Sequence, residues 1–433
     1  MLNVTLIREH TELVERALAK RGLQVDLAQF LRLDEEFRRT RTAVENLRAE
    51  RKQRSAEVAR LLRTGQDVTA LRVRSTAVGV DLDELETQLA ELGTARRNFL
   101  DQLPNLPDDD VVAGGKENNE VLRSVGAPPQ FAFPAGDHVE LAQRLGLIDY
   151  ERGVKLGGSG HWIYRGNGAL LEWALLNFFV QTHLRDGYEF VLPPHLLTYE
   201  AGYTAGQFPK FADEVFAIEP AAPGKPGEPA EAGPRRFLLP TSETALVNLH
   251  RDETLSEEEL PRKYFAYSPC YRKEIGGYRA TERGTLRGHQ FDKVELFQFV
   301  RPDASDAAHE ELLAKAEQLV SALGLHYRIT RLAAEDTSAA MAKTFDVEVW
   351  LPSINAYVEV SSVSNARDYQ ARRGNIRYRP TGGRPAFVHT LNASGLATSR
   401  LLPAILEQHQ QPDGTVVVPE VLRPWLGTEV LAP

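Results

Sequence analysis

The chain has 433 residues, a net charge of -9 and 42% hydrophobic residues, the profile of a globular protein with room for two or three domains. Its one cysteine, Cys270, and the lack of HExxH or paired histidines exclude internal disulfides and zinc, and fit a cytoplasmic setting. The charged opening, MLNVTLIREHTELVERAL, holds no signal-peptide core, and the longest apolar stretch, Ala169 to Val180, is too short to cross a bilayer. An acidic total also argues against a surface coated in basic side chains, as DNA wrapping would need, while leaving room for a local basic patch.

In chain order, residues 31–103 predict two long helices. Leu33, Phe37, Thr40, Val44, Leu47, Val58 and Leu61 recur in steps of four and three, and so do Val78, Leu82, Leu85, Leu89, Leu92, Phe99 and Leu103. That beat is a heptad seam. Arg51, Arg54 and Arg96 fall on it, so the seam is weakest near the turn. Thr64-Gly65-Gln66-Asp67 breaks the pattern and predicts an antiparallel hairpin. Between Arg38 and Arg74 there are eleven Lys/Arg against four acids, a balance of +7 in an acidic chain. Such a stretch is either a solvated coiled-coil face or an arm that tracks phosphates.

Residues 105–129, with LPNLPDDD and VGAPP, read as a linker, which divides the chain into 1–104, 105–129 and 130–433. The last part reads as mixed α and β. GSGHWIYRGNGALLEWALLNFFVQTHLRDGYEFVLPPHLL predicts strand, helix, strand, and EPAAPGKPGEPAEAGP at 219–234 a flexible insertion. No GxxxxGK[ST] loop is present. A nucleotide would therefore have to be held by arginines and carboxylates on a sheet.

CYRKEIGGYRATERGTLRGHQFDKVE, from Cys270 to Glu295, has the residues for that. In an antiparallel hairpin, residues two apart share a face. Arg272, Glu274, Arg287, Phe291 and Glu295 would then aim guanidiniums, carboxylates and a stacking ring at one nucleotide. Of the other features, YVEVSSVSN reads as an alternating strand, LNASGLATSRLLPAILEQHQQ as a strand entering a helix, and Thr241-Ser242-Glu243 as a helix start with a Thr or Ser cap. Cys270 and His289 read as packing residues.

The hairpin resembles motif 2 of the class II aminoacyl-tRNA synthetases, and RGxxRxHQFxKVE is close to a signature of the seryl-tRNA synthetases. The 158–197 stretch resembles motif 1, closed by Pro193, and LNASGLATSR resembles motif 3. GYTAGQFPKFADEVF is spelled much as in bacterial members. The resemblance implies an α+β fold, in which an antiparallel coiled-coil hairpin precedes a catalytic domain built on a mainly antiparallel sheet flanked by helices. It implies an ATP-dependent ligase that forms seryl-adenylate from L-serine and passes the seryl group to serine tRNA, with selenocysteine tRNA a second substrate in some members.

Carried over residue by residue, Arg272 would bridge the α-phosphate and the serine carboxylate, and Arg400 and Arg287 would grip the γ-phosphate. Arg272 and Arg400 would be the catalytic pair. Glu274 would accept from the adenine amino group and Phe291 would stack on the ring, with Lys273, Val360 and Ser361 beside the nucleotide. Glu359 and Ser362 would hold Mg²⁺. Serine would meet Thr241, Ser242, Glu243, Arg272, Glu295, Asn392 and Ser394. The basic arm, through Arg51, Arg54 and Arg63, would bind tRNA, and the Leu170–Leu192 helix and strand would form a homodimer. Two stretches depart from the family: Glu335-Asp336-Thr337-Ser338 lacks both glycines of its GDxG element, and Ile275 to Glu282 offers Tyr278 and Arg279 where small and acidic residues are usual. These departures keep three alternatives in view: a specialised paralogue loading a non-tRNA acceptor, an inhibitor-resistant form, and a catalytically dead tRNA-binding protein. The intact Arg272, Arg287 and Arg400 speak against the last, and the basic arm against the first.

Overall fold

The computed structural model describes residues 1–219, 233–274 and 283–433. The body of the 219–234 insertion and the whole Ile275–Glu282 loop lie outside the described residues. The chain divides into two units, one of Leu2–Leu18 and Leu23–Leu103, the other of Met1, Ala19–Gly22 and Pro104–Pro433.

In the smaller unit two helices dominate, α1 (Leu27–Arg63) and α2 (Thr69–Gln102). Asp26 caps α1, its carboxylate accepting from the Ala28 amide. Gly65, at φ +69°, provides the turn between them. Partners run in opposite order along the two helices: Phe30 meets Phe99, Asp34 meets Arg96 and Arg48 meets Glu86. The hairpin is therefore antiparallel, as the seam predicts. Near its base the seam differs from the reading. Asp34, not Leu33, is the fully buried residue. It is tolerated there because Arg96 (2.7 Å), Arg38 (3.1 Å) and Arg8 (3.7 Å) converge on its carboxylate.

The larger unit is built on an eight-stranded sheet. Its strands are β1 (Glu120–Val125), β2 (Glu189–Val191), β3 (Arg262–Tyr271), β4 (Gln290–Val300), β5 (Tyr327–Arg331), β6 (Lys343–Leu351), β7 (Ala356–Arg367) and β8 (His389–Ala397), in the order β1-β5-β6-β7-β8-β4-β3-β2. Every pair is antiparallel except β2 with β3. β1 lies inside the 105–129 segment read as a linker. That segment belongs to the larger unit and supplies an edge strand.

Helices α3 (Asn167–Arg185), α4 (Ser305–Ala322) and α5 (Thr398–Gln408) pack against the sheet through one apolar cluster. The strands divide by parity. Val294 and Leu296 of β4, Val363 of β7 and Leu391 and Ala393 of β8 join that cluster. Their neighbours Lys293, Glu295, Ser362, Ser364, Asn392 and Ser394 line a cavity instead. A sheet with one face covered by helices thus has its polar positions gathered on the other.

Candidate active site

Two neighbouring cavities open on the polar face. The larger, about 550 Å³, is lined by Thr241, Glu243, Glu295, Asn392, Ser394 and Ser362, and reaches Met341 and Phe211. The smaller, about 70 Å³, is lined by Phe291, Val360 and Arg400. Arg272, Glu274, Arg287, Lys293, Glu359 and Ser394 line both.

The hairpin forms as expected. Phe291 pairs with Cys270, and the Arg272 amide donates to the His289 carbonyl at 3.0 Å. Register thus puts Arg272 beside Phe291, with its guanidinium 5.2 Å from the ring centroid. Arg272 Nε also donates to the Pro240 carbonyl at 3.2 Å, which fixes the fork. Glu274, at φ +49°, turns its carboxylate to 2.8 Å from Arg287. Arg400 stands in the first turn of α5, and its Nη1 reaches Glu359 Oε2 at 3.1 Å and the Glu359 carbonyl at 2.9 Å.

Glu359 and Ser362 are three apart, so strict alternation would send them to opposite faces. A bulge at Val360 prevents this: Val347 opposes Ser361 and Glu348 opposes Glu359. The extra residue restores parity, and both side chains line the same cavity. Asp346, cross-strand from Ser362, joins Glu359 and Ser362 in an adjoining cavity of about 390 Å³. It is 8% exposed, and its Oδ1 has no hydrogen-bond partner among the described residues. Burial, then the Glu359 charge, pushes its carboxyl far above the usual range.

At the other end the larger cavity holds a buried charged cluster. Glu295 is 2% exposed, and Lys293 Nζ lies 2.5 Å from its carboxylate while donating to Thr241 Oγ1 at 2.7 Å. Asn392 donates to Glu295 at 3.3 Å. Glu243 accepts from the Gln370 amide at 2.7 Å. Burial, then the charge of Glu295, pushes Glu243 up to about 7. The sequence reading missed Lys293 and Gln370. Lys293 had a signal, because it stands two residues from both Phe291 and Glu295 on one strand.

Three residues expected at the site do not line either cavity. Ser242 is buried with its hydroxyl 2.7 Å from that of Ser268; it occupies the helix N-cap position without capping by its side chain. Ser361 is buried and donates to the Ser394 carbonyl at 2.7 Å. Lys273 donates its amide to the Glu214 carbonyl at 3.0 Å. Cys270 is buried, and burial raises its thiol away from reactivity. In the smaller unit Arg51 and Arg63 are exposed, but Arg54 is held 2.5 Å from Glu50.

Known proteins bear on these observations at both ends of the chain. The family profile for the seryl-tRNA synthetase N-terminal domain matches residues 1–107, and that for the class II tRNA synthetase core domain (G, H, P, S and T) matches residues 230–409. Serine--tRNA ligase 2 of Clostridium acetobutylicum is 56% identical over the full length of both chains. The crystal structure of seryl-tRNA synthetase from Pyrococcus horikoshii complexed with ATP superposes with a TM-score of 0.90 at 32% identity, covering all of both chains. That of the cytoplasmic serine-tRNA ligase from Naegleria fowleri in complex with AMP gives 0.85 at 29%, covering 100% of this chain and 99% of the other. With two profiles matched in that order and more than half of all residues shared with one relative from end to end, this chain belongs to the seryl-tRNA synthetase family, the serine–tRNA ligases of class II.

Proposed function

We propose that the two cavities bind L-serine and ATP, the larger taking the amino acid and the smaller the adenine and phosphates. The observation that carries this reading is Arg272, which lines both cavities between the buried carboxylates and Phe291. In the first step a serine carboxylate oxygen bonds to the α-phosphorus as its bond to pyrophosphate breaks. Arg272 stabilises the charge that gathers on the α-phosphate, and Arg287 and Arg400 hold the departing phosphates. In the second, a terminal-ribose hydroxyl of tRNA attacks the seryl carbonyl and AMP leaves. Each step rests on positioning and fixed charge, with no covalent enzyme intermediate. Glu243 and Glu295 suit the serine ammonium and hydroxyl, and a pocket that hydrogen-bonds the hydroxyl rejects alanine and glycine.

Mg²⁺ fits the residues present. Glu359, Ser362 and the unpartnered Asp346 Oδ1 form a hard oxygen donor set beside the phosphate arginines. No group of three or more His, Cys, Asp or Glu among the described residues would hold a metal alone, so phosphate oxygens would complete the shell. When bound, the ion would neutralise phosphate charge.

The exposed Arg51 and Arg63 support a tRNA-binding role for the helical hairpin. Leu170, Trp173 and Leu184 on α3 and Leu192 just beyond β2 are exposed apolar side chains, which supports a homodimer through that helix and strand. No described helix is long and apolar enough to cross a membrane, and a cytoplasmic place fits an enzyme of protein synthesis. Relatives named serine–tRNA ligases give no support to a non-tRNA acceptor or a dead enzyme. The test is serine-dependent ATP–pyrophosphate exchange followed by charging of total tRNA. Glu295→Ala should abolish exchange and leave ATP binding intact; near-normal exchange would remove Glu295 from the pocket.

A further inference from the structure

Arg21 follows a short helix, Thr11–Lys20, and precedes α1, and Ala19–Gly22 belongs to the larger unit. Its side chain is 8% exposed. Nη1 donates to the carbonyls of Ala334 (3.0 Å) and Thr337 (2.8 Å), and Nη2 to those of Ser338 (3.5 Å) and Met341. One guanidinium thus gathers four carbonyls from an eight-residue segment. Burial lowers its pKa to about 10, so it remains a cation at neutral pH. The next residue, Gly22, adopts φ +68°, and a Cβ there would come within 3.0 Å of the Glu335 carboxylate. The same segment is held from a second side by Asn105, whose amide side chain donates to Ala340 at 3.0 Å and to Ala366 at 2.8 Å.

This segment forms part of the cavity wall. Ser338 and Met341 line the larger cavity, and neither lines the smaller one with Phe291; Met341 lines the larger alone, while Ser338 also edges the adjoining cavity of Asp346 and Glu359. It also contains Ser338 at one of the two positions where the chain lacks the family's glycines.

We propose that Arg21 is a positioning residue for amino-acid binding: it fixes the 334–341 segment from behind, and so sets where Ser338 and Met341 stand in the wall. The inference rests on the reading of the larger cavity as the serine pocket. A lysine cannot replace the arginine. Its ammonium is a single point with three donors, whereas the planar fork presents five in fixed directions. With Met341 in the larger cavity alone, the loss falls mainly on amino-acid affinity.

The test uses the full-length enzyme in ATP–pyrophosphate exchange. Arg21→Lys should raise KM for serine about tenfold and change KM for ATP less than about twofold. A purely structural fastening would lower the active fraction, and with it the apparent kcat, without moving either KM. In a Met341→Ala background, where the wall is already relaxed, the serine effect of Arg21→Lys should shrink at least threefold. If Arg21→Lys gives no folded protein, Gly22→Ala pushes on Glu335 in the same segment and should give the same serine-selective rise. Unchanged KM values, an equal rise in both, or additive effects with Met341→Ala overturn the proposal. Glu295→Ala separates the two failures. If it abolishes exchange while Arg21→Lys is silent, the cavity reading stands and this inference falls; if exchange survives Glu295→Ala, the cavity reading falls first.

Discussion

Lys293 sits between Glu295 and Thr241 with its ammonium almost wholly buried, and Glu243 faces the same cavity. Removing the cation would leave the buried Glu295 carboxylate facing Glu243 without its nearest positive charge. Lys293→Met should therefore destabilise the fold by about 3–5 kcal/mol, as is typical when one partner of a buried pair is lost, and raise KM for serine. Urea unfolding and pyrophosphate exchange read the two effects; an unchanged midpoint would mean that the ammonium offsets no carboxylate charge. Glu172 on α3 gives a pH test. Burial pushes it up to about 8, against the Thr398 hydroxyl, which donates to it. Between the unfolded value near 4.5 and about 8 the folded state holds the extra proton. Stability from this group is thus complete below about 4.5 and declines as pH rises to 8, by at most about 1.4 kcal/mol per unit. Glu172→Gln mimics the protonated form. Its melting temperature should match the parent near pH 5 and exceed it increasingly toward pH 8; parallel curves would contradict a buried, protonated Glu172. Arg272, Glu274, Phe291 and Glu295 were legible in the sequence because period two and motif spelling coincide there, and Arg400 by motif spelling alone. Asp34 was not, and Lys293 was missed although its spacing puts it on the face of Phe291 and Glu295. A charged residue in a strand or beside a seam reads as solvated until its distant partners are known.

The helical hairpin was the most legible element, since a heptad beat and a glycine-bearing turn are local signals. Its side-chain pairing was not. Arg54 falls on the seam but is tied to Glu50 one turn back, whereas Arg51 is exposed. Replacing Arg51 and Arg63 with Gln should weaken tRNA binding and flatten its salt dependence by about 0.9 per lost phosphate contact. Arg54→Gln should do less, because an arginine already paired releases fewer counterions. Deleting residues 35–95 should spare serine activation and cripple tRNA charging. Wild-type charging by that deletion would make the hairpin a structural or partner-binding element. The Val360 bulge shows the limit of periodicity at this scale. Resemblance put Glu359 and Ser362 together, but a three-residue spacing contradicts alternation, and only the register across β6 and β7 reconciles them.

For the whole molecule, the order of a helical hairpin followed by an antiparallel sheet was legible. The role of residues 105–129 was not, because β1 pairs with β5 some two hundred residues later and Pro/Asp-rich sequence hides such long-range pairing. The exposed face of α3 and the end of β2 give the prediction at this scale. Trp173, 57% exposed, and Leu192, 69% exposed, are expected to lie in a two-fold interface. Trp173→Glu with Leu192→Glu should convert a dimer to a monomer in sedimentation at micromolar concentration, with activity lost. An active monomeric parent protein would sink the idea. The contacts of Arg21 also have a consequence in time. They span 313 to 320 residues of sequence. At synthesis rates of about 5–20 residues per second, the guanidinium waits about 15–60 s on the ribosome before its carbonyls exist. This contact, internal to the larger unit, is thus among the last that a nascent molecule can make. Ribosome-stalled chains ending before residue 334 should be cut readily by protease around Arg21, and chains carried past the third motif should not.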